Sequence, residues 1–253
     1  MNITTYNVNS VRARQGALLH FLDDRAPDVV CLQELKCVEE ELPWKELGAR
    51  GYHCAALGQK TYNGVAILSR HEITGVERNP HWPDDTQSRS LLGWVGGVRV
   101  VNLYVVNGQS IGSDKFAYKL EWLRRLHAWV AELAPAPTVI CGDFNIAPAD
   151  LDCHDPTAWK GEILVSDEER AALTGLLALG YSDAFRHLFP ARRQFTWWDY
   201  RNNGFEQDKG LRIDHHLVSG SLLPRVIDCT VDTEGRARPQ ASDHAAVTLF
   251  LAD

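Results

Sequence analysis

Four stretches of this chain place a metal-capable polar side chain at the end of an apolar run. Asn7 follows residues 3–6, Glu34 follows residues 29–33, and Asp143 and Asn145 follow residues 138–141. Asp243-His244 stand just ahead of the run 245–251. Short apolar runs read as buried strands, and strands of one sheet that finish together bring their terminal side chains together. Glu, Asp and Asn offer hard oxygen donors, a set suited to Mg2+ or Mn2+ rather than zinc. Taken singly, each is an ordinary turn residue, because Asp and Asn favour turns in any case. Their recurrence at strand ends, with the residues flanking them, is what makes a chemical reading stronger than a structural one.

Other metal readings fall away. His215 and His216 follow Asp214, but neighbours on a strand face opposite sides and do not share an ion easily. His154-Asp155 reads as a loop pair without a third partner at ligand spacing. The six cysteines (Cys31, Cys37, Cys54, Cys141, Cys153, Cys229) contain no C-x-x-C pair. Cys31, Cys141 and Cys229 lie in apolar contexts as small buried hydrophobes, so neither a disulfide framework nor a thiolate zinc site is expected.

The elements that must hold the polar groups are mostly short strands. The patterning predicts strands over 3–8, 29–33, 65–69, 88–95, 99–106, 138–141, 213–218 and 245–251, with Gly96-Gly97 as a hairpin turn. Helices are expected over 15–26, ending at Pro27, and over 116–133, with Leu120, Leu123, Leu126 and Val130 on one stripe. A third starts at the capped Ser166-Asp167-Glu168-Glu169 and ends near 179–180. Many strands with few strict β-α-β alternations predict an α+β fold, a four-layer α/β sandwich of two packed mixed sheets flanked by helices. No Pro-, Gly- or Ser-rich linker divides the 253 residues, so a single domain over 1–253 is expected.

Hydrophobic residues make up 45% and charged residues 23%, which excludes a disordered chain. No apolar run approaches the roughly 20 residues that span a bilayer. The start, Met-Asn-Ile-Thr-Thr-Tyr-Asn, has neither a basic nor an apolar leader region, so a cytoplasmic location is expected. The formal charge of −7 weakens a simple nucleic-acid reading, since such affinity comes largely from Lys and Arg on phosphates. It does not remove it: a nuclease needs carboxylates for its metal, and a local basic groove coexists with a negative total.

Seven motifs occur in order: Thr5-Tyr6-Asn7-Val8-Asn9, Leu32-Gln33-Glu34-Leu35-Lys36, Tyr62-Asn63-Gly64-Val65-Ala66, Gly142-Asp143-Phe144-Asn145-Ile146-Ala147-Pro148, Phe195-Thr196-Trp197-Trp198-Asp199-Tyr200-Arg201, Leu211-Arg212-Ile213-Asp214-His215 and Ser242-Asp243-His244. Together they closely resemble exodeoxyribonuclease III and its abasic-site endonuclease relatives, in the endonuclease/exonuclease/phosphatase superfamily. The likeness spans residues 3–250, and the Phe-Thr-Trp-Trp-Asp-Tyr-Arg and Leu-Arg-Ile-Asp blocks point to the DNA-repair branch. It implies metal-dependent hydrolysis of a DNA phosphodiester. It further implies that Glu34, with Asn7 and Asp243 nearby, holds Mg2+ or Mn2+, and that Asp143, fixed by Asn145, orients or deprotonates the attacking water. His244, held by Asp214, would meet a phosphate oxygen, and Tyr104 would face the scissile phosphate or leaving group. Trp197 is expected against an abasic sugar or terminal nucleotide, with Trp198 in the core. Asn9, Arg12, Lys36, Asn107, Lys115 and Arg201 are candidates to meet the DNA. The implied partner is double-stranded DNA with abasic sites or 3′ termini, and a monomer is expected.

Two departures bear on the substrate. Val106 stands where many relatives have Pro, and residues 152–165 differ from the bacterial exonuclease III pattern. This loop looks like that of a subgroup divided between abasic-site endonucleases and enzymes limited to 3′ termini. A bulky Lys160 or Leu164 there would block a continuous strand while admitting an end. Action on another phosphate ester, and a binding-only regulator that has lost its active site, are the rival readings. Trp197 and Leu-Arg-Ile-Asp oppose the first; retention of Glu34, Asp143, Asn145, Asp214 and His244 opposes the second.

Overall fold

The structure, a computed structural model, describes residues 1–252. Its first sheet takes β1 (Asn2–Asn7), β2 (Val29–Gln33), β3 (His53–Leu57) and β4 (Val65–Ser69) from the first third of the chain. The second takes β5 (Thr74–Arg78), β6 (Ser90–Val95), β7 (Val98–Tyr104), β8 (Thr138–Asp143), β9 (Tyr181–Asp183) and β12 (Asp214–Ser219). A ribbon of β10 (Trp197–Trp198) and β11 (Gly210–Leu211) intervenes, and β13 (Val226–Val231) and β14 (Val247–Leu251) return to the first sheet. The orders are β13-β14-β1-β2-β4-β3 and β5-β6-β7-β8-β12-β9. Both sheets are mixed: β1 and β2 are parallel, as are β7 and β8, and the remaining ladders are antiparallel.

The central strands of each sheet bury both faces, which explains why β1 is buried throughout after Asn2 instead of alternating. Between the sheets lie Ile3, Val29, Cys31 and Ile67 against Val100, Val139, Cys141 and Val218. Helix α1 (Gln15–Arg25) lays Leu18, Phe21 and Leu22 on the outer face of the first sheet. On the outer face of the second, α3 (Asp114–Glu132), which follows the short α2 (Trp44–Gly48), packs Trp122, Leu123, Leu126 and Val130. Helix α4 (Asp167–Ala178) adds Leu173 and Leu176 and begins with the expected Ser166/Glu169 capping box. Two short helices, α5 (Ala184–Leu188) and α6 (Thr233–Arg236), complete the set. This is the four-layer sandwich, and among the described residues no helix is long and apolar enough to cross a membrane.

Buried amides join the two sheets just behind the polar strand ends. Gln33 Nε2 donates to Thr5 Oγ1 (2.9 Å) and to Asn102 Oδ1 on the opposite sheet (2.7 Å). Asn102 Nδ2 returns to the carbonyls of Leu32 (2.9 Å) and Ala66 (2.8 Å). These bonds between the layers fix one relative placement of the sheets, while Gln33 Oε1 is buried without a partner among the described residues. Beside them, Gly142 permits β7 and β8 to close: a Cβ there would lie 1.9 Å from the Leu103 carbonyl oxygen.

Candidate active site

The polar strand ends converge, though on two sheets instead of one. Asn7 and Glu34 end β1 and β2 of the first sheet, and Asp243-His244 lead into β14 of the same sheet. Tyr104, Asp143 and Asp214 belong to β7, β8 and β12 of the second. Two mixed sheets stacked with these edges aligned bring residues 34 and 143 together.

Glu34, Asp143 and His244 offer ligand atoms within 4.8 Å of one another. Asn7 Nδ2 bridges the two carboxylates, 2.9 Å from Glu34 Oε1 and 3.0 Å from Asp143 Oδ2. The Tyr104 hydroxyl donates to the same Glu34 oxygen (2.9 Å), while Lys36 Nζ lies 2.7 Å from the other. Glu34 reaches in from a left-handed backbone, φ 54°, costly for a residue with a Cβ and typical of a functional position. Both oxygens of Asp143 are held by Asn145, through its backbone N–H (2.9 Å) and its amide (3.2 Å). His244 donates from Nδ1 to Asp214 Oδ2 (2.9 Å), and its Nε2 points toward Asp143 Oδ2 at 3.7 Å.

Burial and neighbouring charge pull these groups apart electrostatically. Burial is the main influence on the Asp143 carboxyl, and with Asp214 and Glu34 nearby it outweighs the pull of His244 and lifts Asp143 to about 7. Burial works against charge on the His244 ring, but Asp214, Asp143 and Asp243 overcome it and lift the ring to about 10. Glu34, despite burial, is held below the ordinary carboxylate range by Lys36 and the Asn7 amide. Tyr104 is pushed well up by burial and by Glu34 and Asp143, so its phenol keeps its proton. The result at neutral pH is a charged imidazole, an anionic Glu34 and a carboxyl poised near neutrality. The donor set, rich in carboxylate oxygen, fits a hard divalent ion.

The other candidate residues have these partners within the protein. Asn7 turns its amide N–H groups toward the carboxylates and spends its oxygen on the Asn9 backbone (3.0 Å). Asp243 lies outside the tight cluster, its oxygens taken by Asn9 Nδ2 (2.9 Å) and Trp197 Nε1 (3.0 Å). Asn9 therefore holds Asp243 and, at 2.6 Å, Lys36, instead of facing the cavity. Arg12 pairs with Glu41 (2.9 Å) and stands outside the catalytic cavity. Lys36 is absorbed by Glu34 and Asn9, also outside the lining. Asn107, Trp197 and Arg201 do line the cavity, Asn107 donating to Asn145 Oδ1 (3.2 Å) and Arg201 pairing with Asp199 (2.6 Å). Lys115 lines a separate groove that meets the cavity at Asn107. Trp198 is in the core.

The cavity measures about 650 Å³, and its far side is built from the 152–165 loop: His154, Trp159, Ile163 and Leu164 line it. His154 has no place in the metal-capable cluster but does line the cavity, a position that spacing along the chain does not signal. Thr196 was equally hidden: its hydroxyl accepts from the backbone N–H of Ile213 (3.0 Å) and Asp214 (3.1 Å) and so sets the carboxylate under His244. Ser242 does similar work, donating to the Asn7 carbonyl (2.6 Å) and accepting from the His244 N–H (3.2 Å).

A two-sheet sandwich with carboxylates and a charged imidazole at a shared edge defines the class of metal-assisted phosphoester hydrolases. The chain belongs to the Endonuclease/Exonuclease/phosphatase family, whose model matches residues 4–244. It is 35% identical to exodeoxyribonuclease III of Haemophilus influenzae over 98% of both chains. The structure superposes on that of a 3′ phosphatase from Neisseria bound to a product DNA hairpin, with TM-score 0.98, 44% identity and full coverage of both chains. An AP endonuclease from Archaeoglobus fulgidus gives TM-score 0.96 at 33% identity over 99% of each chain. With these relatives the chain is a hydrolytic DNA nuclease of the repair group.

Proposed function

We propose that this chain acts on the 3′ termini of double-stranded DNA, removing a terminal phosphate or nucleotide in a Mg2+- or Mn2+-dependent hydrolysis. The observation that carries the choice of terminus is the bulk that the 152–165 loop sets against the cavity: Trp159, Ile163 and Leu164, with His154 and Glu162 beside them. Leu164 is buried and has φ 71°, so a branched side chain is held against the cavity at a conformational cost. Such a wall stops a strand and accepts its end. The Neisseria relative, a 3′ phosphatase, supports the same choice. Cleavage within a strand at an abasic site is the second reading, favoured by the Archaeoglobus relative. We further infer a monomeric, cytoplasmic enzyme whose 253 residues form one catalytic domain.

The chemistry follows from charge. A phosphate ester under attack by water accumulates negative charge, so catalysis rests on positioning and on positive charge near phosphorus. A divalent ion held by Glu34, with Asp143 and His244 beside it, would supply positive charge to the phosphate oxygens and the leaving 3′-oxygen. Asp143, fixed by Asn145, takes the proton of the attacking water. His244, kept charged by Asp214, donates from Nε2 to a non-bridging oxygen. Tyr104 presents a protonated phenol to the same phosphate, its ring backed by the Arg89 guanidinium at 4.8 Å. Trp197, Asn107 and Arg201 meet the terminal nucleotide.

The test is a labelled duplex carrying either a recessed 3′ end, with or without a 3′ phosphate, or an internal abasic analogue, given Mg2+ and then EDTA. Shortening or dephosphorylation of the end alone, abolished by EDTA, is the expected result. Efficient internal nicking would replace the reading with the endonuclease one, and no turnover of any substrate would overturn both.

A further inference from the structure

Helix α3 carries a lysine where its apolar stripe should continue. Lys119 is fully buried, and its ammonium donates to the backbone carbonyls of Asn145 (2.8 Å) and Asn107 (3.1 Å). It forms an ion pair with Glu169, equally buried on α4. Glu169 in turn accepts from the backbone N–H groups of Leu164 (3.0 Å) and Ser166 (3.0 Å). One buried pair thus reaches three loops, and Asn107, Asn145 and Leu164 all line the catalytic cavity.

Stability is a poor explanation for such a pair. Taking both charges out of water costs about what their attraction returns, and apolar residues of the same volume commonly serve a core as well or better. What apolar residues do not supply is a donor for the inward-turned carbonyls of Asn107 and Asn145. Asn145 is left-handed, φ 50°, and its N–H and amide hold both oxygens of Asp143. Its own side-chain oxygen accepts from Asn107. A shift at the Asn145 carbonyl is therefore handed directly to the Asp143 carboxylate.

We propose that Lys119, locked by Glu169, is a positioning residue: it fixes Asn145 and Asn107 and through them the orientation of Asp143. The kinetic arm of the test rests on the 3′-terminus reading above; the spectroscopic arm does not. Lys119→Met keeps the stem and removes the ammonium. At a temperature where circular dichroism shows it folded, kcat on the recessed-end duplex is expected to fall about 30- to 100-fold with KM within about threefold, the signature of a misplaced reacting group. Val130→Ala, a cavity on the same helix, should lower the melting temperature and leave kcat within about twofold. In 15N–1H spectra the Asn145 amide, which donates to Asp143, should move in Lys119→Met and stay in place in Val130→Ala. If Lys119→Met does not fold, Lys119→Gln, whose amide keeps one carbonyl bond, is judged by the same criteria. Wild-type kcat in a folded Lys119 variant, or an unmoved Asn145 amide whatever the activity, overturns the proposal. Failure of both variants to fold assigns Lys119 to the core alone and overturns it as well. Absence of turnover in the parent enzyme would count against the functional reading and leave the amide measurement to decide this one.

Discussion

Exchanging Asp214 for Asn isolates the charge that holds the site together. The side chain is buried and lies 2.9 Å from His244 Nδ1. An amide in its place still accepts that proton, so the tautomer and the ring angle survive while the negative charge is lost. The ring's rise from 6.5 to about 10 corresponds to about 5 kcal/mol in favour of the charged form, at roughly 1.36 kcal/mol per unit. That figure is already net of burial, and Asp214 leads the three carboxylates that produce it. Losing that charge leaves burial and the two remaining carboxylates to set the ring, so its midpoint falls. Because the folded midpoint lies above the unfolded one, the charged ring stabilises the fold fully below 6.5, and that contribution disappears as pH rises through about 10. In the variant it disappears at lower pH. The assay is an NMR titration of the His244 ring between pH 6 and 11 in the metal-free protein, with kcat followed over the same range. We expect the midpoint and the alkaline limb of the rate profile to move down together, and kcat near pH 8 to fall about 10- to 100-fold. A ring that still titrates where it does in the parent would refute the assignment of its charge to Asp214.

Asp143→Asn keeps the side-chain volume but turns its new N–H groups toward the donors of Asn7 or Asn145; it should fold and lose about 10²- to 10⁴-fold in turnover because the base is gone, and full activity on any duplex end would remove Asp143 from that role. Leu164→Gly relieves a left-handed leucine but empties a buried site, so its effect on melting temperature should be small; nicking at an internal abasic analogue should rise at least about tenfold, and an unchanged ratio of internal to terminal cleavage would show that the wall does not set the choice. With a net charge of −7, the slope of log affinity against log salt for duplex DNA should be shallow, on the order of −2 to −4, as measured by fluorescence anisotropy without added metal; a slope near that of a large repressor would mean an extensive basic groove.

Local pattern alone marks where several buried strands end and which polar groups stand there. Val29–Gln33 and Val65–Ser69 are strands at the bounds their apolar runs predict, and the Ser166/Glu169 capping box opens α4. Elements with weak local patterns stayed hidden: β5 is exposed along its whole length, β9 to β11 have two or three residues each, and β13 is only partly buried, so none shows the alternation that marks a strand. The oxygen donors of Glu34, Asp143 and Asp243 were legible because polar residues at the ends of buried runs stand out. Which of them share one point in space was not, since that depends on two sheets stacking with their edges aligned. The stacking put Asp143 beside Glu34 and Asn7, while along the first sheet's own edge His244 came beside Glu34, Asp243 went to Asn9 and Trp197, and Arg12 and Lys36 met Glu41 and Glu34. It also brought His154, Trp159 and Leu164 to the cavity from a loop without periodicity. Residue type and local pattern specify what a group can do; contacts made across layers between residues a hundred positions apart specify what it does, and no local pattern encodes those.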